Sequence, residues 1–260
     1  MIGFGAMVRD LRASFKKSGG VFDIAAALVP PGHSARSDDA DRIQIFHEPA
    51  ALAAWKPSLV VECASHAAVR DTVPFMLRLG IDTVIVSIGS LADTTLLRDL
   101  EVAAVAGKSR LTIASGAIGG LDALRAAKLA GLSSVAYTGT KPPDAWKGSA
   151  AETFCDLTTI SKPTTFFEGS AREASRLFPK NANVTAAVAL AGMGFEKTSV
   201  ALVADPTASF NCHQVTAEGA FGTFSIVLRN EPLPDNPKTS RLAALSVQQA
   251  VVRHFEAVEL

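Results

Sequence analysis

Through the first half of the chain, short apolar runs rich in β-branched residues alternate with stretches whose apolar residues recur every three or four positions. The runs at 22–29, 43–46, 59–62, 83–86 and 111–114 predict strands, and the stretches at 7–17, 49–54, 66–79 and 93–107 predict helices. The joining segments are short and rich in Gly, Pro, Ser and Asp. Strand, helix, strand in steady alternation calls for parallel strands, because each connection must cross back over the sheet and leaves a helix on its face. The expectation for residues 1–115 is a doubly wound parallel sheet of the α/β class.

The pattern changes after Ser115-Gly116-Ala117. A helix at 120–129 precedes strand-like runs at 134–140, 164–169, 199–204, 210–217 and 221–229, with helices at 171–178 and 183–191 between them. Several strands now follow one another without an intervening helix, which predicts a mixed or antiparallel sheet in a second α/β domain over 116–239. An amphipathic stretch at 239–255 predicts a final helix. Residues 240–260 are expected to return to the first domain, making it discontinuous.

Composition narrows the function. With 260 residues, 48% hydrophobic and 19% charged, the chain is globular rather than disordered. Lys+Arg and Asp+Glu both number 25, and this balance argues against nucleic acid or an anionic membrane as partner. Cys63, Cys155 and Cys212 are too few and too scattered for a disulfide framework or a metal site, so a reducing, cytoplasmic setting is expected. No basic segment followed by an apolar run opens the chain, and the Ala-rich stretch 184–193 is about half the length of a membrane span.

Candidate chemistry lies at the ends of the predicted strands. Gly3-Phe4-Gly5-Ala6-Met7-Val8 stands directly before a helical pattern. In a dinucleotide site the first glycine makes the tight turn, the second lets the backbone approach a pyrophosphate, and the helix N-terminus supplies N–H donors. Here Val8 occupies the third glycine position and only Met1-Ile2 precede the turn, so a flexible terminus is the competing reading. The segment 28–36 lacks the acid that would bond a ribose 2′-hydroxyl. Ser34 and Arg36 could receive a 2′-phosphate, or the loop is simply solvated, and both NAD and NADP stay open.

Ala64, Ser65 and His66 follow an apolar strand at a small-residue turn, the place where doubly wound sheets meet their ligands; His66 either touches cofactor or only starts the next helix. Ser87 ends the next strand among side chains small enough to leave room for a nicotinamide ring. The cluster 115–120 contains Ala117 and suits close approach of a ligand or a hinge. Asn183 reads either as a helix N-cap or as an amide contact to cofactor or substrate. His213 lies in a polar strand-like stretch; it could exchange protons near neutral pH, or be a surface strand histidine. Lys238 falls in a predicted loop, solvated or reaching an anionic substrate.

Taken together, Gly3-Phe4-Gly5-Ala6, Val61-Glu62-Cys63-Ala64, Val86-Ser87-Ile88-Gly89, Ser115-Gly116-Ala117-Ile118, Tyr137-Thr138-Gly139 with Lys141-Pro142, Phe166-Phe167-Glu168-Gly169 and Pro179-Lys180-Asn181-Ala182-Asn183-Val184 resemble the L-aspartate dehydrogenase family. Asp205-Pro206, Asn211-Cys212-His213, Gly219-Ala220-Phe221-Gly222 and Asn236-Pro237-Lys238-Thr239-Ser240 extend the resemblance over nearly the whole chain. It implies a Rossmann domain followed by an α/β domain that holds substrate and makes homodimer contacts. It also implies reversible NAD(P)-dependent oxidative deamination of L-aspartate to oxaloacetate and ammonia through iminoaspartate. The family's active-site histidine maps onto His213 and its cofactor contacts onto Ala117 and Asn183; a link to nicotinamide-cofactor biosynthesis comes with it. For the substrate's carboxylates, Ser65, His66 and Lys238 are the candidates. Val8 and the short first strand depart from the pattern and bear on cofactor affinity. Two other readings remain: a related reductase for another amino or imino acid, and a dinucleotide-binding protein without catalysis.

Overall fold

The fold is taken from a computed structural model, which describes residues 1–17, 21–33, 43–233 and 236–258. The chain divides into two compact units, one formed by Met1–Ala114 with Ala244–Leu260 and the other by Ser115–Ala243.

The first unit follows the alternation in the sequence. Helix α1 (Ala6–Lys17) buries Val8, Leu11 and Phe15, one stripe at helical spacing, and ends on Lys16 and Lys17, where cations favour the helix dipole. Strands β1 (Ala26–Leu28) and β2 (Gln44–Phe46) pair in parallel. After α2 (Pro49–Ala54) come β3 (Val60–Glu62), α3 (His66–Arg78), β4 (Thr83–Ile85), α4 (Thr94–Gly107) and β5 (Leu111–Ile113). Strands β3, β4 and β5 form a second parallel set.

Residues 1–3 join the two sets. Ile2 bridges Leu28 on one side and Glu62 on the other, both in parallel, with hydrogen bonds from Ile2 N–H to Val61 O (2.8 Å) and from Gly3 N–H to Leu28 O (2.8 Å). Counting this segment as the first strand, the order across the sheet is 3-2-1-4-5-6, that of the dinucleotide-binding Rossmann fold. The short first strand is therefore in its full central place. Val8, where the third glycine is usual, has no exposed surface and belongs to the core of the unit. That core also takes Val247, Ala250 and Val251 from the C-terminal helix (Arg241–Phe255), and Ser14 Oγ donates to Gln248 Oε1 at 2.6 Å.

In the second unit, α5 (Leu121–Ala130) leads into the long strand β6 (Leu132–Lys141). Two short helices absent from the sequence expectation follow, α6 (Pro143–Trp146) and α7 (Ala151–Phe154). Then come β7 (Thr164–Ser170), α8 (Ala171–Leu177), a 3₁₀ turn (Pro179–Asn181), α9 (Ala182–Ala191), β8 (Ser199–Ala204), β9 (Asn211–Gly219) and β10 (Gly222–Asn230). The sheet has five strands in the order β10-β9-β6-β8-β7, with β6 and β8 parallel and the other neighbours antiparallel, so it is mixed. Burial alternates along β6 and β9: Val135, Tyr137, Gly139 and Lys141 face inward with Asn211, His213, Val215 and Ala217, while Ser134, Gln214 and Glu218 are exposed. A final pair, β11 (Pro232–Leu233) and β12 (Asn236–Ser240), is antiparallel.

Candidate active site

In the first unit, the predicted ligand-facing turns gather at the carboxyl ends of the parallel strands. Gly3 has φ +89°, and a methyl group built on it would lie 2.9 Å from Ala64 Cβ and 3.0 Å from Cys63 O, so only glycine fits. Gly5 is different: a methyl group there would meet nothing within 4 Å. That open space adjoins the N-terminus of α1, whose first turn carries no acid. The exposed amides of such a turn, with Ala6 and Met7 as its first residues, suit a phosphate group.

One buried carboxylate organises the neighbouring turns. Glu62 has no exposed surface; its Oε1 accepts from Ala64 N–H (2.7 Å), Ser65 N–H (2.9 Å) and Ser87 Oγ–H (2.8 Å), and its Oε2 accepts from Ser87 N–H (3.1 Å). Four donors satisfy a buried anion. Ser87 is thus turned toward Glu62 and begins a buried 3₁₀ turn (Ile88–Ala92). Ser65 is the N-cap of α3, its Oγ accepting from Ala68 N–H at 3.2 Å, and His66 is the first residue of that helix, half buried. Burial, reinforced by Glu62, pushes the Cys63 thiol well above its ordinary range, so it stays protonated. Ser34 and Arg36 lie outside the described residues.

In the second unit the polar groups gather on the inward face of the mixed sheet. His213 stands directly across from Gly139 of β6 and is only 4% exposed, so it is not a surface strand histidine. Its Nδ1 shares a hydrogen bond of 2.8 Å with the Tyr137 hydroxyl. The alternation of β6 then brings Lys141 to the same face. Lys141 is 9% exposed; its Nζ donates to Asn181 Oδ1 at 2.6 Å and stands 5.1 Å from the Trp146 ring centroid. Trp146 is held by its own Nε1–H, which donates to Val203 O at 3.0 Å.

The electrostatics follow from burial. Desolvation, helped by the Lys141 charge, lowers the His213 imidazole to about 3, so the ring is neutral at pH 7. Burial lowers the Lys141 ammonium to about 8. Burial raises the Tyr137 phenol above its ordinary value, so its hydroxyl keeps its proton. The cluster is a neutral imidazole held by a phenol and overlooked by a cation.

The remaining candidates sit as follows. Ala117 is buried, and its carbonyl accepts from Asn230 Nδ2–H at 2.7 Å, which fixes the 115–120 segment on β10. Gly120, at φ +70°, abuts Ile226, whose Cδ1 would be 2.0 Å from an added methyl group. Asn183 is not the cap of α9: that place falls to Asn181, and Asn183 lies within the first turn, because the 3₁₀ turn before it brings the helix start forward. Lys238 is in strand β12 rather than in a loop, since Asn236–Ser240 pairs back on Pro232–Leu233.

Comparison with known proteins bears on the whole chain. A family model described as aspartate dehydrogenase, C-terminal, matches residues 122–254, and one described as homoserine dehydrogenase, NAD binding domain, matches 5–114. The L-aspartate dehydrogenase of Pseudomonas aeruginosa is 50% identical over 205 residues, covering 79% of this chain and 77% of the relative. The chain belongs to the L-aspartate dehydrogenase family. The enzyme of that name from Cupriavidus necator is 42% identical over 266 residues, covering 100% of this chain and 98% of its own. The crystal structure of aspartate dehydrogenase from Thermotoga maritima superposes with a TM-score of 0.77 at 27% identity, covering 100% of this chain and 97% of that one. Family membership makes the chain an α/β oxidoreductase with a nicotinamide dinucleotide cofactor, as the resemblance in its motifs implies.

Four residues carry no role in the sequence reading: Glu62 in the first unit, and Tyr137, Lys141 and Asn181 in the second. Each lies within a quoted motif, but only the fold brings Tyr137 and Lys141 to the face of His213. The available signal was the two-residue spacing of Tyr137, Gly139 and Lys141, the last of them one position beyond the strand expected at 134–140.

Proposed function

We propose that this chain catalyses the reversible oxidative deamination of L-aspartate, with water, to oxaloacetate and ammonia, using NAD or NADP. The carrying observation is the buried imidazole of His213, hydrogen-bonded to the Tyr137 hydroxyl on the same inward face as Lys141. When bound, the dinucleotide supplies the nicotinamide that takes the substrate's Cα hydrogen as hydride. Gly3, Gly5, Ala6 and Met7 would hold its pyrophosphate at the start of α1, and Ala64, Ser87, Ala117 and Asn183 would make further contacts to it. Among the phosphate-binding residues, the open space at Gly5 supports this assignment.

His213 acts as the base. For Nε2 to accept a proton, Nδ1 must keep its own hydrogen and donate it to Tyr137 Oη. That bond survives protonation, so Tyr137 steadies both forms of the ring. The proton comes first from the substrate's ammonium group, which must be neutral before its carbon can give up hydride. Loss of the Cα hydrogen leaves iminoaspartate. Once that first proton has passed to solvent, water adds to the iminium carbon and gives its proton to the imidazole. The imidazolium returns it to the amine, the C–N bond breaks to release ammonia, and the hydroxyl loses its proton to leave oxaloacetate.

The test follows nicotinamide absorbance in oxaloacetate with NADH or NADPH. Oxidation that requires ammonium is the expected result, and the ratio of kcat/KM for the two dinucleotides gives the cofactor preference. Oxidation without ammonium, or none at all, overturns the reading. A homodimer belongs to the same proposal, supported by the outward face of the mixed sheet, where Gln214 and the half-exposed Val227 pair across β9 and β10; light scattering tests it. Cytoplasmic residence and supply of nicotinamide-cofactor biosynthesis complete the proposal. Among the described residues no helix is long and apolar enough to cross a membrane.

A further inference from the structure

The inward face of the mixed sheet holds a positive charge that no carboxylate among the described residues balances. An ammonium group has three hydrogens to donate. At Lys141 one goes to the neutral Asn181 amide oxygen, the Trp146 ring lies alongside, and among the described residues no carboxylate pairs with it. Burying a cation beside neutral partners alone is costly. A lysine whose only task was to fill this space would be better replaced by methionine. The cost is understandable if an anion arrives there during function.

Two further observations point the same way. Lys141 is on the face of His213, close enough for its charge to lower the imidazole's proton affinity. Asn181, in the 3₁₀ turn that precedes α9, fixes the ammonium from the opposite element. We propose that Lys141, held in position by Asn181, binds a carboxylate of the dicarboxylic substrate. This rests on the function proposed above and supplies the carboxylate-binding group for which the sequence had suggested Ser65, His66 and Lys238. It also couples binding to chemistry. A carboxylate at Lys141 offsets the charge that, second to burial, lowers the proton affinity of His213, so the arriving substrate raises the proton affinity of the base that will act on it.

The experiment uses Lys141→Met and Lys141→Arg with the oxidised dinucleotide present. Succinate, which has the four-carbon dicarboxylate skeleton of aspartate without its amine, is titrated calorimetrically. The Met variant is expected to bind succinate about tenfold more weakly or worse, the loss of one charge-assisted hydrogen bond. Its KM for oxaloacetate should rise in parallel, its dinucleotide affinity should be unchanged, and its ligand-free melting temperature should be no lower than that of the parent. The Arg variant, which keeps the charge, should retain more succinate affinity than the Met variant. Unaltered succinate binding in the folded Met variant overturns the proposal, as does a lowered melting temperature with succinate affinity intact, which would assign Lys141 to the fold. The parent protein's failure to reduce oxaloacetate with ammonium would instead overturn the proposed function, while succinate binding would still decide the role of Lys141.

Discussion

A methyl group on Gly139 would sit 2.6 Å from the Tyr137 hydroxyl, the same hydroxyl that meets His213 Nδ1 at 2.8 Å. The missing side chain at 139 therefore leaves room for a polar contact two residues earlier on the same strand. Gly139→Ala is expected to displace the phenol, costing about 1–3 kcal/mol of stability by overpacking and lowering kcat. Tyr137→Phe, which keeps the ring and removes the hydroxyl, should lower kcat too. The two effects should combine to less than their sum, since both act through one hydroxyl. A double-mutant cycle on kcat measures this, and additive losses would separate Gly139 from the histidine.

His213→Ala is expected to bind the dinucleotide as the parent does and to lose most of its turnover, on the order of 10²-fold or more for a lost general base. Steady-state kinetics alongside fluorescence titration of the reduced dinucleotide checks both halves. An unchanged kcat would remove the imidazole from the reaction.

The same histidine should leave a mark on acid stability. In the unfolded chain its imidazole takes up a proton near its ordinary value of 6.5, whereas in the fold it does so only at about 3. Between those values the unfolded state binds more protons, so stability falls as the pH drops through this window, by up to about 1.4 kcal/mol per pH unit. Denaturant titrations from pH 7 to about pH 4 should show a shallower fall for His213→Asn than for the parent.

Gly3 and Gly5 should respond differently to the same change. Gly3→Ala forces a left-handed backbone on alanine and drives its methyl group into Ala64, so the melting temperature should drop. Gly5→Ala meets open space, so the fold should tolerate it. Its methyl group would occupy the place assigned to the pyrophosphate, and dinucleotide affinity should weaken without loss of stability. Equal dinucleotide affinity in Gly5→Ala and the parent would move the phosphate elsewhere.

The alternation of strands and helices was legible in the sequence because burial on both faces favours apolar residues in the central parallel strands, as in Ala26–Leu28 and Val60-Val61. Glu62 was the exception hidden within that pattern, its carboxylate satisfied by three backbone N–H groups and the Ser87 hydroxyl, which no spacing reveals. Helices α6 and α7 escaped because Pro143–Trp146 and Ala151–Phe154 are a single turn each, too short for a period. Asn183 looked like a cap because it precedes an apolar run, but Pro179 opens a tighter turn that starts the helix sooner. His213 was legible by type. Its partners were not, since Tyr137 lies 76 positions away and meets it only through the register of β6 and β9.

The carboxylate of Glu62 makes the ends of two strands mechanically inseparable. Residues 64, 65 and 87 hang from the same side chain, so a substitution that shifts one turn drags the other with it. Efforts to retune this edge of the sheet one loop at a time would meet that tether first.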